Sequence, residues 1–599
     1  MAGNTLTISS GDAAAAQSVA NKVARFGACS TGTPAAVYEY ERGGDAVIVG
    51  DLGYGSVVEE TKQALRLTGG VGCVVVPVDT DIAGVIGSVT EDPAGTGPSV
   101  TLSGDPTMDL PRLALKMSRG GPLGEAQVSV AYDGYTYAAT FDVPEQAPGV
   151  VTGTVDVTTL TLSALNAQTL VLSPDGGSNQ TVTFTTPPNV GDIVTQINNG
   201  TTGMTASLIG GRYLRIASDT TGTASAIQVQ ASSTADTTLG LDNAAHAGSA
   251  ATVALTGTGL TATFPSGTYI KDTVYFAQIT GPRFSVTSLG AAMDALKESG
   301  VEVGVVSLSQ VPLDAAEALS FYSALKSKLT AWRSADEPWY AVAFMPMPLG
   351  GTGAVNTRTN DLSVRSAFAG IVDELGSVTR VHGDIYLEGS DVLGLHRRSL
   401  AVPLSIRAAG ASLSEDPGSG ELPSLPECSL IGPDGETLAR NENTASVKMQ
   451  ASGFTVLEKR DGLPYFYRGV TSALSSSKFK HLGIVRMGFF AARLAWAAMQ
   501  KKRNITRDLA PDGKLQPADR ANLASFYKAE LEGPLVKGPQ KHASAVRTEI
   551  PDADMRSTTR YALKWEVQHR AQLEAADAAL VVTGAISTDR QGNTTQTVS

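Results

Sequence analysis

The sequence predicts a multidomain protein of mixed α+β and α/β class, with a layered core, inserted mostly-β domains and extended N- and C-terminal arms. Three observations lead to this prediction. Strand-like and helix-like segments alternate in residues 23–90 and again after residue 261, as they do in a layered sheet. Residues 151–260 are almost free of charge. The first twenty or so residues are too polar to bury a core of their own.

Composition sets limits on the function. A chain of 599 residues can form several domains, each with a buried core. Its 63 glycines and 6% aromatic content favour sheets and turns. The formal net charge of −12 is modest for this length and argues against a general nucleic-acid coat. We therefore expect no direct nucleic-acid partner.

Membrane and disulfide signals are weak. No apolar run in the sequence approaches the roughly 18–20 residues that span a bilayer, so we expect no membrane insertion. The first residues lack the basic and apolar regions of a signal peptide. Cys29, Cys73 and Cys428 are few and widely spaced, which argues against a disulfide framework or a cysteine-rich zinc site. These features indicate a chain that is made, or assembled, inside a cell.

The N-terminal part divides into an arm and a first core segment. Residues 1–22 are predicted to form the arm, in which Leu6 and Ile8 alternate as in an edge strand. Residues 23–90 are predicted to be the first part of the α/β core. They contain strands at 23–29 and 46–49, a helix at 56–67 and a buried strand at 71–78.

Two β-rich segments come next in the chain. Residues 91–150 carry many turn signals and predict a small β-rich domain. Residues 151–260 contain eight charged residues, none of them Lys or Glu, and Thr, Ser, Ala and Gly replace them. Short alternating strands flank one predicted helix at 190–198. This pattern is typical of a separate, mostly β domain inserted into the chain.

The α/β pattern then returns. Residues 261–400 predict the second part of the core, with strands at 301–308 and 339–345 around a helix at 313–332. Residues 401–570 predict a C-terminal core domain with a long apolar helix at 484–499. It ends in a strand with one apolar face, formed by Tyr561, Leu563, Trp565 and Val567. Residues 571–599 predict a C-terminal arm with a strand at 580–586.

No catalytic constellation is visible. The six histidines are His246, His382, His396, His481, His542 and His569. No two of them have metal-ligand spacing, and no nucleophile elbow or P-loop appears. The run Gly350-Gly351-Thr352-Gly353 lacks the Lys-Ser/Thr of a P-loop, and Glu59-Glu60 and Asp552/Asp554 are expected on the solvated surface. The sequence therefore predicts no catalytic residue, no cofactor and no bound metal, so we expect no enzyme.

Five segments resemble, in order, the tail-sheath family of contractile phages and related injection machines. They are residues 49–78, 110–144, 259–296, 454–471 and 479–504. The second and third are similar to one tail-sheath-like branch and are separated only by the charge-poor insertion. The insertion itself, from 181 to 241, is similar to the hook-inserted motif of flagellins. That module decorates the outside of filaments, so its position here fits an insertion at a loop.

The resemblance implies a structural subunit that forms hexameric rings stacked around an inner tail tube. The polymer would contract without nucleotide and drive the tube through the host envelope, which leads to genome ejection in a phage. Expected partners are other copies of the chain, the tail tube protein, and baseplate and tail terminator proteins. The expected location is the virion tail, assembled in the host cytoplasm. An S-layer or filament surface protein is the alternative, supported by the flagellin-like insertion.

The arms are expected to exchange strands between neighbouring subunits, because isolated strand pairs are marginal in water and exposed edges pair with other chains. The expected inter-subunit residues are Leu6, Ile8, Tyr561, Leu563, Trp565, Val567, Leu580, Val582 and Ile586. Basic residues flank the long helix. They are Lys478, Lys480, Lys501, Lys502 and Arg503. Two interpretations remain open for them: contact with an acidic inner tube, or a solvated helix end that complements the helix dipole.

Overall fold

A computed structural model describes most of the chain. The described residues are 20–40, 45–68, 73–95, 97–132, 139–335, 337–348, 364–381, 384–388, 395–411, 413, 416–418, 420–421, 452–460, 463–466, 469–502, 509–538, 541–552, 562–569, 581–588 and 594–598.

Helices and strands alternate through the described residues. The helices are α1 Asp45–Leu52, α2 Ser56–Thr68, α3 Val190–Gly200, α4 Asp236–Leu239, α5 Val286–Ser299, α6 Ala315–Ser334, α7 Ala401–Gly410, α8 Leu482–Lys501 and α9 Pro517–Glu532. The strands in the first half are β1 Val23–Gly27, β2 Tyr38–Tyr40, β3 Cys73–Pro77, β4 Val85–Ile86, β5 Thr90–Asp92, β6 Thr101–Gly104, β7 Leu110–Arg119, β8 Gly121–Pro122, β9 Gln127–Tyr132, β10 Ala139–Asp142, β11 Val150–Asp156, β12 Thr169–Pro174, β13 Gln180–Thr183, β14 Met204–Ile209, β15 Tyr213–Ser218, β16 Ala226–Val229, β17 Ala245–Ala247, β18 Ala251–Leu255, β19 Leu260–Phe264, β20 Thr268–Tyr269 and β21 Val274–Thr280. The remaining strands are β22 Val305–Leu308, β23 Val342–Pro346, β24 Val378–Val381, β25 Asp384–Glu388, β26 Leu395–Ser399, β27 Gly420–Glu421, β28 Phe454–Thr455, β29 Leu457–Arg460, β30 Leu463–Phe466, β31 Ala543–Glu549, β32 Ala562–His569, β33 Val581–Thr588 and β34 Thr594–Val598. The predicted mixed helix-and-sheet class with several sheets is confirmed.

The core is built on a sheet of order β2-β3-β1-β22-β23-β24-β28. All neighbours pair in parallel except the edge strand β2. Parallel strands are covered on both faces and therefore read as continuous apolar runs. Val23 and Val305 belong to one apolar cluster with residues of α7 and α8. Ala24 and Val306 belong to a second cluster with residues of α5 and α6, so the core has three layers.

A large excursion of the chain, residues 79–283, separates β3 from α5. We call it the β body. Its central sheet has the order β10-β9-β7-β21-β4, and a smaller sheet has the order β18-β19-β6. Residues from both sheets share one apolar cluster, which includes Leu113, Val128 and Phe264. The β body therefore has a core of its own.

The β body carries an inserted module with a further apolar cluster, which spans Val151 to Leu241. The module contains the sheets β11-β15-β14 and β13-β12-β16-β17. An antiparallel bridge between Ala147 and Ser249 closes its neck. Composition places the end of the insertion at residue 260, but β18 pairs with β19, and β19 pairs with β6 of the β body. Low charge continues past the neck, so composition and topology change at different residues.

Side-chain amides bind backbone groups at the edges of this module. Asn198 of α3 accepts from the Ala206 N–H at 2.6 Å and donates to the Ala206 carbonyl at 3.1 Å. Ala206 lies on β14, an edge strand. Gln180 of the edge strand β13 makes the same pair of bonds with Thr202, and Gln196 makes them with Thr185. The Asn198 amide thus fills hydrogen-bonding groups of β14 that a further strand would use, whereas Gln180 and Gln196 bind backbone groups that lie just outside the strands.

The C-terminal part packs helices α8 and α9 against a four-stranded antiparallel sheet of order β31-β32-β33-β34. Residues of both helices and of β31 and β32 share the apolar cluster that reaches the core sheet. Among the described helices, α8 is long and apolar enough to cross a membrane, and 89% of its most apolar stretch is buried inside the protein. Burial of this kind is typical of a core helix.

One predicted element has the wrong type. Residues 46–49, predicted to form a strand, lie within helix α1. Ile48 and Leu52, four residues apart, are buried against α2 and β3 in one apolar cluster. A short apolar run does not distinguish a strand from a buried helix, and here the tertiary contact on one helix face decides.

Candidate assembly surfaces

The C-terminal sheet contains most of the described residues that are expected in the arms. Leu563, Trp565 and Val567 of β32 are fully buried, whereas Lys564 and Glu566 between them are exposed. Strand β32 pairs with β31 on one side and with β33 on the other. The alternation lets one face of β32 pack against the helices while the other meets solvent. Whether these residues make inter-subunit contacts stays a prediction.

The links between the strands of this sheet are unusually long. Residues 570–580, eleven in number, separate β32 from β33, and residues 550–561 separate β31 from β32. Neighbouring antiparallel strands need only about two to five linking residues. By contrast, β33 and β34 are joined by residues 589–593. More residues therefore join the hairpin β33–β34 to β32 than neighbouring antiparallel strands need.

The root of the N-terminal arm is anchored in the core. Ala20 is buried, and the N–H of Gly304 donates to the carbonyl of Lys22 at 3.1 Å. Arg486 of α8 donates to the side-chain oxygen of Asn21 at 3.0 Å. A Cβ on Gly304 would lie 2.1 Å from the Ala20 carbonyl oxygen, so only glycine permits this approach. The arm thus begins at a site bound to both the sheet and helix α8.

The basic residues around α8 lie at its two ends. Lys478 and Lys480 form a 3-10 turn before the helix, and Lys501 and Lys502 lie at its C-terminal end. A helix of 20 residues is about 30 Å long, so the two pairs do not form one patch. Lys501 pairs with Glu530 at 2.8 Å, and the Lys502 ammonium lies 4.3 Å from the ring centre of Phe526.

Lys478 lies near the C-terminal sheet. Burial lowers its pKa, and the carboxylate of Glu566 on β32 opposes this shift. Lys501 and Lys502 have partners on α9. Such partners are expected for a helix end that packs against its own domain. A contact between these lysines and an inner tube stays a prediction.

Several expected site residues lie outside the described residues. They are Leu6, Ile8, Tyr561, Leu580 and Arg503. Val582 and Ile586 lie on β33, where only the backbone is described. Gly350-Gly351-Thr352-Gly353 and Asp554 are also outside the described part.

The pair Glu59-Glu60 is not on the solvated surface, and that prediction is wrong. Both residues are 1% exposed. Arg398 donates to Glu59 from Nε at 2.8 Å and from Nη2 at 2.5 Å, and the Ser309 hydroxyl donates to Glu60 at 2.9 Å. Desolvation raises the pKa of Glu60 to about 7, although Ser309, Arg25 and Arg398 oppose the shift. No local pattern indicates this burial, because Arg398 is 339 residues away.

Glu60 is bonded by Ser309, which directly follows β22 near the place where a layered α/β protein would bind a ligand. The chain passes from β1 to β3 on one side and continues with β22 on the other. Open sheets of this kind bind ligands at the carboxyl ends of the two strands at such a switch point. Here a Cβ on Gly27 would lie only 2.8 Å from the Cβ atoms of Ser309 and Val57. The side chains of Ser309 and Val57 thus pack closely against Gly27 at this switch point.

The described residues contain no group of three or more His, Cys, Asp or Glu placed to hold a metal ion. His246 pairs with Asp242 at 2.6 Å on the inserted module. His542 and His569 are buried in the C-terminal domain. Asp552 is exposed and pairs with Lys514 at 3.1 Å and Arg520 at 2.9 Å.

Comparison with solved structures finds sheath proteins. A sheath tail protein from Desulfitobacterium hafniense is 11% identical with a TM-score of 0.40, over 95% of this chain and 96% of that one. A sheath tail protein from Listeria innocua is 10% identical with a TM-score of 0.38, over 98% and 97% of the two chains. The contracted helical sheath of the anti-feeding prophage is 11% identical with a TM-score of 0.33, over 51% of this chain and 77% of that one. These solved neighbours are sheath proteins of contractile tails and injection systems, similar to this chain at low identity and low TM-score.

No protein-family model matches the chain. A comparison with curated proteins finds no relative.

Proposed function

We propose that this chain is the sheath subunit of a contractile tail or injection machine. Copies would polymerise as stacked hexameric rings around an inner tail tube and contract to drive the tube through a host envelope. The sheath-like segments of the sequence support the proposal, and the construction of the C-terminal sheet carries it. The tube protein and the baseplate and terminator proteins would be its partners in a virion tail that is assembled in the host cytoplasm.

The number of residues between β32 and β33 is large enough for strand exchange. Because eleven residues link β32 to β33, the hairpin β33–β34 can pair with β32 of its own chain or of a neighbour. Exchange of an identical element between subunits forms the same contacts in either arrangement. The same reasoning applies to the N-terminal arm, whose root is anchored to the core.

The exchanged contact is strong enough to hold subunits together. Strands β32 and β33 pair over seven residues, from Ala562 with Ser587 to Gln568 with Val581. At roughly 0.5–1.5 kcal/mol net for each main-chain hydrogen bond, this pairing contributes on the order of 4–10 kcal/mol per subunit. Main-chain pairing of this kind would keep a mesh of subunits connected while their compact domains rotate. The energy of contraction would come from new contacts between domains, without nucleotide.

A cysteine pair tests the exchange. Glu566 and Thr583 are cross-strand partners in β32 and β33, so Glu566→Cys with Thr583→Cys places two thiols side by side. The assay uses a chain in which Cys29, Cys73 and Cys428 are replaced by serine. The polymer is oxidised and run on a non-reducing gel. We expect a ladder of covalent oligomers, because the two cysteines would belong to different subunits.

Thr252→Cys with Thr263→Cys is the matched control. These residues face each other in β18 and β19, which a short turn joins, so the control must give only internal disulfides. Complete oxidation of the test pair without oligomers would refute strand exchange. Negative-stain microscopy of the same sample distinguishes the functions: hollow tubes support a sheath, flat lattices support an S-layer protein, and discrete particles refute both.

A further inference from the structure

The β body joins the core at a neck of its own, distinct from the Ala147–Ser249 neck of the module. Two adjacent crossings of the chain form it. The chain leaves after β3 and returns just before α5. At the neck, Ile82 and Arg283 exchange two backbone hydrogen bonds, at 3.0 and 2.9 Å. Two adjacent crossings allow a rotation unless side chains prevent it. Charged side chains make two of the contacts that bear on this rotation, and Tyr54 of the core also packs against the apolar cluster of the β body.

The first charged contact is made by Arg283, at the returning crossing. Its side chain is 3% exposed. Its Nη2 donates to the Val311 carbonyl at 2.7 Å and to the two carboxylate oxygens of Glu317 at 3.1 and 3.0 Å. Its Nη1 lies 3.7 Å from Asp109, whose other oxygen accepts from the Gly281 N–H at 2.8 Å. Arg283 therefore connects helix α6 of the core with Asp109 of the β body.

The second contact is made by Arg398, on β26. This residue is 4% exposed. It binds Glu59 of α2, and its Nη2 lies 3.4 Å from the sulfur of Met108. Met108 and Asp109 are consecutive and directly precede β7. Two buried guanidinium groups thus contact two consecutive residues of the β body, Arg283 at Asp109 and Arg398 at Met108.

Charged contacts at this position fix the orientation of the two parts more than they stabilise the fold. Burying an ion costs several kcal/mol, and well-packed apolar side chains are often as stable or more so. Apolar surfaces can slide over each other, whereas a guanidinium meets its acceptors only in defined directions. A neck built from two arginines therefore specifies an angle.

We infer that Arg283 and Arg398 clamp residues 108–109 and set the angle between the β body and the core. Loss of the Arg283 contacts lets the β body turn about the neck without unfolding either part. The inserted module is carried by the β body, so the clamp also sets the direction in which that module points. The inference concerns a single subunit, and its test does not depend on whether the chain forms a sheath.

Spin labels on the isolated subunit measure the angle. One label is placed on the β body at Thr252→Cys and one on α6 at Ser327→Cys, both exposed positions, in the chain without native cysteines. Pulsed electron resonance then gives the distribution of distances. Arg283→Met removes the clamp and leaves the carboxylates of Glu317 and Asp109, which are 23% and 39% exposed. We expect the width of the distribution to increase at least twofold.

Asp109→Asn is the second variant. It keeps an acceptor for the Gly281 N–H but removes the charge that faces Arg283, and it should also broaden the distribution. Lys116→Met is the control, because it breaks an ion pair with Asp272 at 2.9 Å in the same β body, away from the neck. Folded clamp variants with the wild-type width would overturn the inference. An equal broadening in the control would overturn it as well.

Discussion

Replacing Glu60 by glutamine is expected to stabilise the folded protein above pH 7, whereas the same change at the adjacent Glu59 should destabilise it. The two residues are neighbours on helix α2, and both are 1% exposed. They differ in their partners. Glu59 receives two bonds from Arg398, and Glu60 receives one from the hydroxyl of Ser309. A side-chain amide oxygen can still accept the Ser309 bond.

The pKa of Glu60 sets the change in stability that is expected for Glu60→Gln. Desolvation raises that pKa from 4.5 to about 7, so the folded state prefers the protonated form. Stability from this group is therefore present below pH 4.5 and is lost as the pH rises towards 7. The loss amounts to about 3 kcal/mol once Glu60 is ionised. Glu60→Gln is always neutral, so it should recover up to about this amount at pH 8 and little at pH 5.

At Glu59 the sign is opposite. Glutamine removes the carboxylate that faces the buried guanidinium of Arg398, which is only 4% exposed. Removing one partner of a buried ion pair costs about 3–5 kcal/mol, because the remaining charge stays desolvated. The cost should appear at pH 8.

Urea unfolding of the wild type and the two variants, followed by circular dichroism at pH 5 and pH 8, measures both effects. Comparison of midpoints between variants avoids the assumption that a multidomain chain unfolds in two states. A midpoint for Glu60→Gln that falls below the wild type at pH 8, as for Glu59→Gln, would refute the reasoning about Glu60.

Two further predictions concern assembly. Replacing residues 148–248 by a short Gly-Ser joint at the Ala147–Ser249 neck should leave tube formation intact, because the module has its own core. Loss of tubes from a chain that remains folded by circular dichroism would show that the module is a polymer contact. Replacing Lys478 and Lys480 by Glu should weaken co-assembly with an acidic tube and leave sheath self-assembly unchanged. Co-assembly of the wild-type protein should weaken with salt, because exposed charges are screened over roughly 8 Å at physiological ionic strength. Unchanged co-sedimentation of the reversed protein with the tube would assign these lysines to the helix end alone.

Local patterns predict the elements whose neighbours lie close in sequence. The helix expected at 56–67 is observed as Ser56–Thr68, and that at 190–198 as Val190–Gly200. Both have apolar residues at helical spacing that meet a nearby strand. The prediction at 46–49 is wrong because four residues have no periodicity long enough to separate a strand from a helix.

Contacts distant in sequence cannot be predicted in this way. Two adjacent glutamates on a helix are usually solvated. No sequence pattern near Glu59 and Glu60 predicts their contact with a guanidinium from β26. Arg25 raises the same difficulty. It lies in the middle of a buried strand, 1% exposed, and donates to Cys73 at 2.7 Å and to Ser405 at 3.1 Å. Single residues of this kind depend on partners that only the tertiary fold brings together.

The amide pairs of the inserted module have a consequence for crowding. In a stacked-ring polymer, identical modules would face each other at effective concentrations that approach the millimolar range. At that effective concentration, free strand edges would pair laterally and hold neighbouring rings together. Asn198 occupies backbone groups of the edge strand β14 that such joining needs. In such a polymer, a module whose β14 edge is filled would lie beside its copies without joining them along that strand.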